Sequence, residues 1–147
     1  MSNAQPQDAL IVLQMGACER RCPVYKIVIF ADGTTIYEGR HYVTKPGVVR
    51  GKMSLDTLGK ILADADALRF YGLKQRYAPV EAVNEAALSG ECLTPKSDAP
   101  SAILTVSAKG RSNTIVHFRG CSGADAVRLT QFEDRIVSAA NIAKLTR

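Results

Sequence analysis

Tryptophan is absent from the chain and aromatic residues make up only 6% of it, so a core here must be built largely from aliphatic side chains. No apolar run approaches the ~18 residues that a membrane-crossing helix needs. No block of five or six like charges forms a basic or acidic arm. A glycine-rich phosphate loop, a Gly-x-Ser-x-Gly nucleophile turn and a His-Glu-x-x-His zinc motif are all missing. With two histidines in the whole chain, acid–base chemistry has no constellation to rest on. Glu81, Glu85, Asp98, Asp125 and Glu133 supply carboxylates, but their spacing pairs none of them. Asp98, in Ser97-Asp98-Ala99-Pro100, reads as a turn residue.

What is present is ordinary in bulk. A chain of 147 residues falls in the one-domain range, and we expect residues 1–147 to form a single domain. With 46% hydrophobic and 22% charged residues, it belongs with globular chains rather than disordered ones. The net charge of +5 comes from scattered positions such as Arg20, Arg40, Arg50 and Arg111. That pattern is a solvated surface, not a nucleic-acid footprint, and at most a weak attraction to anionic envelope surfaces. The start, Met1-Ser2-Asn3-Ala4, is polar and resembles an expression-vector remnant. Residues 1–8 are therefore expected to be a flexible leader, with any export signal trimmed away.

Periodicity predicts an α+β fold. Leu10 to Gln14 reads as a first strand. Val24 to Ala31 is β-branched and apolar on both faces, with Tyr25, Ile27 and Ile29 on one and Val28 and Phe30 on the other. That is the signature of a central strand covered on both sides. Asp32-Gly33 predicts a type I′ turn into a strand from Thr34 to Glu38, extending past a bulge at Gly39 towards Thr44. Lys45-Pro46-Gly47 should then break the sheet. Ser54 is a good N-cap for a helix whose Leu58, Ile61, Leu62, Ala65 and Leu68 share one face, with Met53 and Leu58 as a hydrophobic staple. Residues 70–100 read as a long insert, with a short helix over 80–88 and Cys92 as its anchor. Ala102 to Ala108 and Thr114 to Phe118 make a hairpin around Lys109-Gly110. Leu129, Phe132, Ile136, Ala140 and Ala143 line one face of a final helix. The expected architecture is an antiparallel sheet of about five strands with two helices packed on it, the hairpin–helix order occurring twice.

The distinctive chemistry is Cys18-Glu19-Arg20-Arg21-Cys22-Pro23. Pro23 disfavours the α region at Cys22 and sends the chain into an extended strand. Four residues of straight strand span ~13 Å. A disulfide tolerates at most ~7 Å between Cα atoms. Bridging Cys18 to Cys22 therefore demands a tight turn. In the chain-entropy model that short loop contributes ~2 kcal/mol, whereas Cys92 to Cys121 closes a loop of about 30 residues and contributes ~3.6 kcal/mol. We favour two structural disulfides, 18–22 and 92–121, although four cysteines permit two other pairings.

Three sharper readings compete. Arg20 and Arg21 would lower a thiolate pKa and suit a redox pair, but no helix N-terminus follows and the spacing is Cys-x3-Cys. The spacing and the proline also resemble copper-delivery proteins of the thioredoxin fold, in which the motif adjoins a helix. Cys18, Cys22, Cys121 and His117 have spacing that zinc permits. His117, however, lies in a strand where its ring more simply packs or faces water.

Cys18-x3-Cys22-Pro23-Val24-Tyr25, Asp32-Gly33, Tyr37-x-Gly39 and Ser97-Asp98-Ala99-Pro100 together resemble a bacterial family, domain of unknown function 6438. The resemblance spans roughly Leu10 to Ile142. One departure is the absence of glycine between the first two cysteines, where the family usually carries one. The resemblance implies a periplasmic, secreted or envelope setting that favours disulfides, and it brings no activity and no cofactor. The expectation is thus a non-enzymatic binding or interaction module with an unknown protein or envelope component as partner. Its expected contact surface is the cysteine turn, the stretch from Tyr37 to Tyr42 and the Tyr77–Cys92 insert, with Arg20, Arg21, Tyr25, Tyr37 and Tyr42 as its named residues. The alternative is a thiol-redox or zinc- or copper-binding protein using Cys18 and Cys22.

Overall fold

A computed structural model describes residues 8–77, 92 and 98–146. The strands are β1 (Leu10–Met15), β2 (Val24–Phe30), β3 (Thr34–His41), β4 (Gly47–Lys52), β5 (Arg76–Tyr77), β6 (Ser101–Ala108) and β7 (Arg111–Phe118). The helices are α1 (Leu55–Leu68), α2 (Ala124–Ala139) and α3 (Ala143–Thr146), and a 3-10 turn spans Phe70–Gly72. The fold is α+β, built on a seven-stranded mixed sheet in the order β4-β3-β2-β1-β6-β7-β5.

Two of these strands exceed the expectation from sequence. Lys45-Pro46-Gly47 does not end the sheet: Gly47 adopts φ 93°, open to glycine, and the chain returns along β3 as β4. β5 is two residues long and runs parallel to β7, so the sheet is not purely antiparallel. The hairpin–helix order does occur twice, as β2-β3 (with β4) before α1 and β6-β7 before α2. β1 lies between the two units, antiparallel to β2 on one side and to β6 on the other.

Alternation sets which side chains are buried. Ile11, Leu13, Ile27, Ile29, Leu104, Val106 and Ile115 point to the face that the helices cover and are fully buried. The five expected α1 residues, Leu58, Ile61, Leu62, Ala65 and Leu68, complete that layer with Phe132 and Ile136 of α2. Each such buried side chain contributes about 1.5–3 kcal/mol of transfer free energy. Val28 and Phe30, by contrast, remain partly or largely exposed. The expectation of a strand covered on both faces fails because α1 and α2 join one core cluster on the same side of the sheet.

The helix and turn ends follow local chemistry. Ser54 Oγ accepts the Thr57 amide at 3.1 Å and caps α1, and Arg69 ends the helix at φ 60°. Asn141 at φ 56° stops α2 after the Ala140 C-cap, so Ala140 and Ala143 do not continue one helix. Asp32-Gly33 is not a type I′ turn, because only Gly33 has positive φ and its amide bonds back to Phe30 O at 2.9 Å. Lys109 and Gly110, at φ 57° and 75°, form the I′-like pair instead. Their amides donate to the Asp8 carboxylate at 2.9 and 2.8 Å, which fixes the residue expected to close a flexible leader. Those two bonds, Gly110 first, hold the Asp8 carboxyl below the usual range. Residues 1–7, the expected helix over 80–88 and most of the insert lie outside the described residues.

Candidate functional site

The Cys18-to-Cys22 segment leaves β1 and turns into β2 at one end of the sheet. Its sulfurs are bonded and its Cα atoms lie 5.6 Å apart, the tight turn that bridging demanded. Asp98 braces this turn from a distant part of the chain. Its carboxylate accepts the Glu19 amide at 3.1 Å, and its other oxygen lies 3.6 Å from Arg20 Nε. The turn role read for Asp98 was local; its bond to a segment 79 residues away was not visible in the sequence.

Arg20, Arg21 and Tyr42 stand exposed at this end, the Arg20 side chain at 86%. The Arg21 guanidinium lies 6.0 Å from the centre of the Tyr42 ring, at the outer limit of a cation–π contact. Tyr42 itself sits at φ 54°, an uncommon conformation for a non-glycine residue, in the link between β3 and β4. The surface is thus cationic and aromatic, on a covalently closed base.

Tyr25 and Tyr37 do not share it. They are 6% and 2% exposed, because the inward positions of β2 and β3 carry them under the helices, where their rings meet at 5.9 Å. The Tyr37 hydroxyl lies 3.1 Å from both Lys45 O and Leu145 O, tying the β3–β4 link to α3. Burial pushes the Tyr25 hydroxyl up to about 12; Arg119 opposes the shift, and Asp134 and Glu133 reinforce it.

A second polar group lies beneath α2. His117 and Glu133 are fully buried, and His117 Nε2 meets Glu133 Oε2 at 2.6 Å. Arg119 Nε donates to Glu133 Oε1 at 3.1 Å, and Arg119 Nη2 reaches Asp134 Oδ1 at 2.6 Å and Thr130 O at 3.1 Å. Both Glu133 oxygens are occupied, so this knot joins β7 to α2. Among the described residues, His117 Nδ1 and Thr130 Oγ1 have no hydrogen-bond partner. The readable signal was Glu133 itself, a charge adjoining the apolar stripe of Leu129, Phe132 and Ile136. His117 and Arg119, two apart at the end of a strand, should then have been matched to it.

Cys121 is bonded to Cys92, and both are buried, at 4% and 2% exposure. The proposed zinc set is therefore not assembled: Cys121 is taken by Cys92 and His117 by Glu133. Among the described residues, the side chains grouped closely enough to hold a metal ion are Cys18, Cys22 and Asp98, with ligand atoms within 4.8 Å of one another.

These features define an α+β domain with a mixed sheet, helices on one face and two disulfides. The chain belongs to the family named Domain of unknown function (DUF6438), whose model matches residues 9–140. No curated protein matches the chain. No helix among the described residues is long and apolar enough to cross a membrane.

Proposed function

We propose that the chain is a non-enzymatic binding module of an oxidising, exported or envelope setting, and that its contact surface is the disulfide-closed turn bearing Arg20, Arg21 and Tyr42. The observation that carries the reading is the pairing of all four cysteines into two disulfides, one buried and one stiffening an exposed cationic turn. Disulfides persist where the compartment is oxidising. A stiffened turn loses less conformational freedom on binding, which is the general gain of preorganisation. Thiol titration of the native protein in denaturant should find no free thiol, and two or more would overturn the proposal. Photo-crosslinking through position 21 or 42 in an envelope preparation should yield a discrete adduct. Cys18→Ser/Cys22→Ser and Arg20→Ala/Arg21→Ala should both lose that adduct while keeping native circular dichroism.

A second reading uses the same turn for thiol chemistry. Its support is the half-buried, accessible position of Cys18 and Cys22 with the Asp98 carboxylate beside them. Reduced, the two thiolates and the carboxylate would offer soft and hard ligands for copper or zinc. One equivalent of metal bound by reduced protein and lost in Cys22→Ser would replace the first reading with this one.

A further inference from the structure

β4 forms one edge of the sheet, and among the described residues no strand pairs with its outer side. We propose that this edge takes up an extended, acidic segment of a partner protein as an additional strand.

The two faces of β4 differ in a way that suits alternating side chains. Val49 and Gly51 lie opposite Tyr37 and Thr35 on the helix-covered face, while Val48, Arg50 and Lys52 lie opposite Glu38, Ile36 and Thr34 on the open face. On the covered side a hollow of about 210 Å³ opens beside the edge, lined by Thr35, Tyr37, Val49, Asn141, Ile142 and Leu145 and bordered by Arg50, Gly51 and Lys52 of β4 itself. Gly51 sits close against Thr35, since a Cβ there would stand 2.8 Å from Thr35 Oγ1. On the open side Arg50 bounds a broader groove of about 740 Å³ floored by Leu10, Phe30 and Ile36, with Asp8 and Asp32 also in its walls. An added strand would lie about 4.8 Å from β4, with successive side chains on opposite faces. Small apolar side chains would enter the hollow, and the alternate ones would meet Arg50 and Lys52. Backbone hydrogen bonds then supply affinity and the hollow supplies selectivity.

Charge decides the occupant. Glu38, the acidic residue of the neighbouring strand, already holds Arg40 at 3.2 Å. Lys52 is partly answered by Asp32, whose carboxyl is held below its usual range by the Thr34 amide and, more weakly, by the Lys52 charge. Arg50, which makes no ion pair among the described residues, is therefore the main cation of this edge on a chain of net charge +5. Two copies pairing through β4 in antiparallel fashion would set these cations against each other on one face, and like charges across strands are destabilising. The same residues that guard the edge against self-pairing thus select an acidic partner. This surface is distinct from the cysteine turn, so the two proposals stand or fall separately.

The test is an NMR titration of the whole chain with a capped peptide alternating glutamate with valine or alanine. Amide shifts should saturate at residues 47–52, Tyr37 and Ile142. N-methylation at alternate peptide positions, on the edge-facing amides, should abolish them with the peptide charge unchanged. Arg50→Glu/Lys52→Glu should weaken the acidic peptide by roughly tenfold or more and favour its lysine counterpart. Cys18→Ser/Cys22→Ser should leave the titration unchanged. No saturable binding, binding indifferent to N-methylation, shifts centred elsewhere, or β4 protection arising from dimerisation without peptide would each overturn the proposal.

Discussion

Cys92 and Cys121 are almost wholly removed from solvent, whereas Cys18 and Cys22 are half-buried in a turn flanked by exposed arginines. The surroundings of the two bridges differ as much as their exposure. The end of β7 concentrates His117, Arg119 and Cys121 against α2 and Cys92, with His117 Nε2 and Arg119 Nε both held by the Glu133 carboxylate. Among the described residues the β1–β2 turn is braced from outside by Asp98, and its Arg20 and Arg21 are exposed. A bond that spans a long loop inside a packed region acts mainly on stability. One that spans four residues at the surface acts mainly on shape.

The sharpest way to break this contrast is to unmake the buried knot. Glu133→Ala strips His117 of its carboxylate and leaves Arg119 with Asp134 and Thr130 O alone. Loss of one partner of a buried ion pair costs up to about 3–5 kcal/mol. Urea unfolding should show that loss, and a cost below about 1 kcal/mol would mean the knot is solvated. Next in size, Cys92→Ala/Cys121→Ala should cost ~3.6 kcal/mol from the chain-entropy model, read as a fall in Tm. Cys18→Ser/Cys22→Ser should cost at most ~2 kcal/mol on the same basis. A mild phosphine should also reduce this pair first, with mass spectrometry locating the alkylated cysteines; reduction of 92–121 first would reverse the comparison.

The smallest effect is a pH dependence. Tyr25 has its folded pKa raised to about 12 from an ordinary value of 10. The native state therefore keeps a proton that the unfolded chain releases. Its contribution is complete below pH 10 and is lost as pH rises towards 12. Tyr25→Phe should flatten the decline of stability across that window while changing little at pH 7. An unchanged slope would place Tyr25 in contact with water.

Much of the fold was legible because it rests on local periodicity. All five buried positions of α1, its Ser54 cap and both main hairpins follow from spacing and turn residues. Pairings that depend on distant segments were not. β4 was hidden because Pro46-Gly47 signals equally a break or a reversal, and β5 because two residues carry no period. Tyr25 and Tyr37 entered the expected surface as aromatic residues near the motif. Their strand parity, readable beside Ile27 and Ile29, placed them in the core. Of the expected contact residues, Arg20, Arg21 and Tyr42 are exposed, and Asp98 joins them only through tertiary structure.

The central place of β1 has a kinetic consequence. Emerging first, β1 can pair with β2 as soon as the adjacent hairpin is made, a local and rapid step. Its other edge must wait for β6, with Met15 meeting Ala102 and Leu10 meeting Ser107 across roughly 90 residues. Until then one side of a strand carrying Ile11 and Leu13 stands open. The search for β6 is therefore the slow, high-contact-order event. During synthesis the N-terminal half is the part that needs shielding from its neighbours.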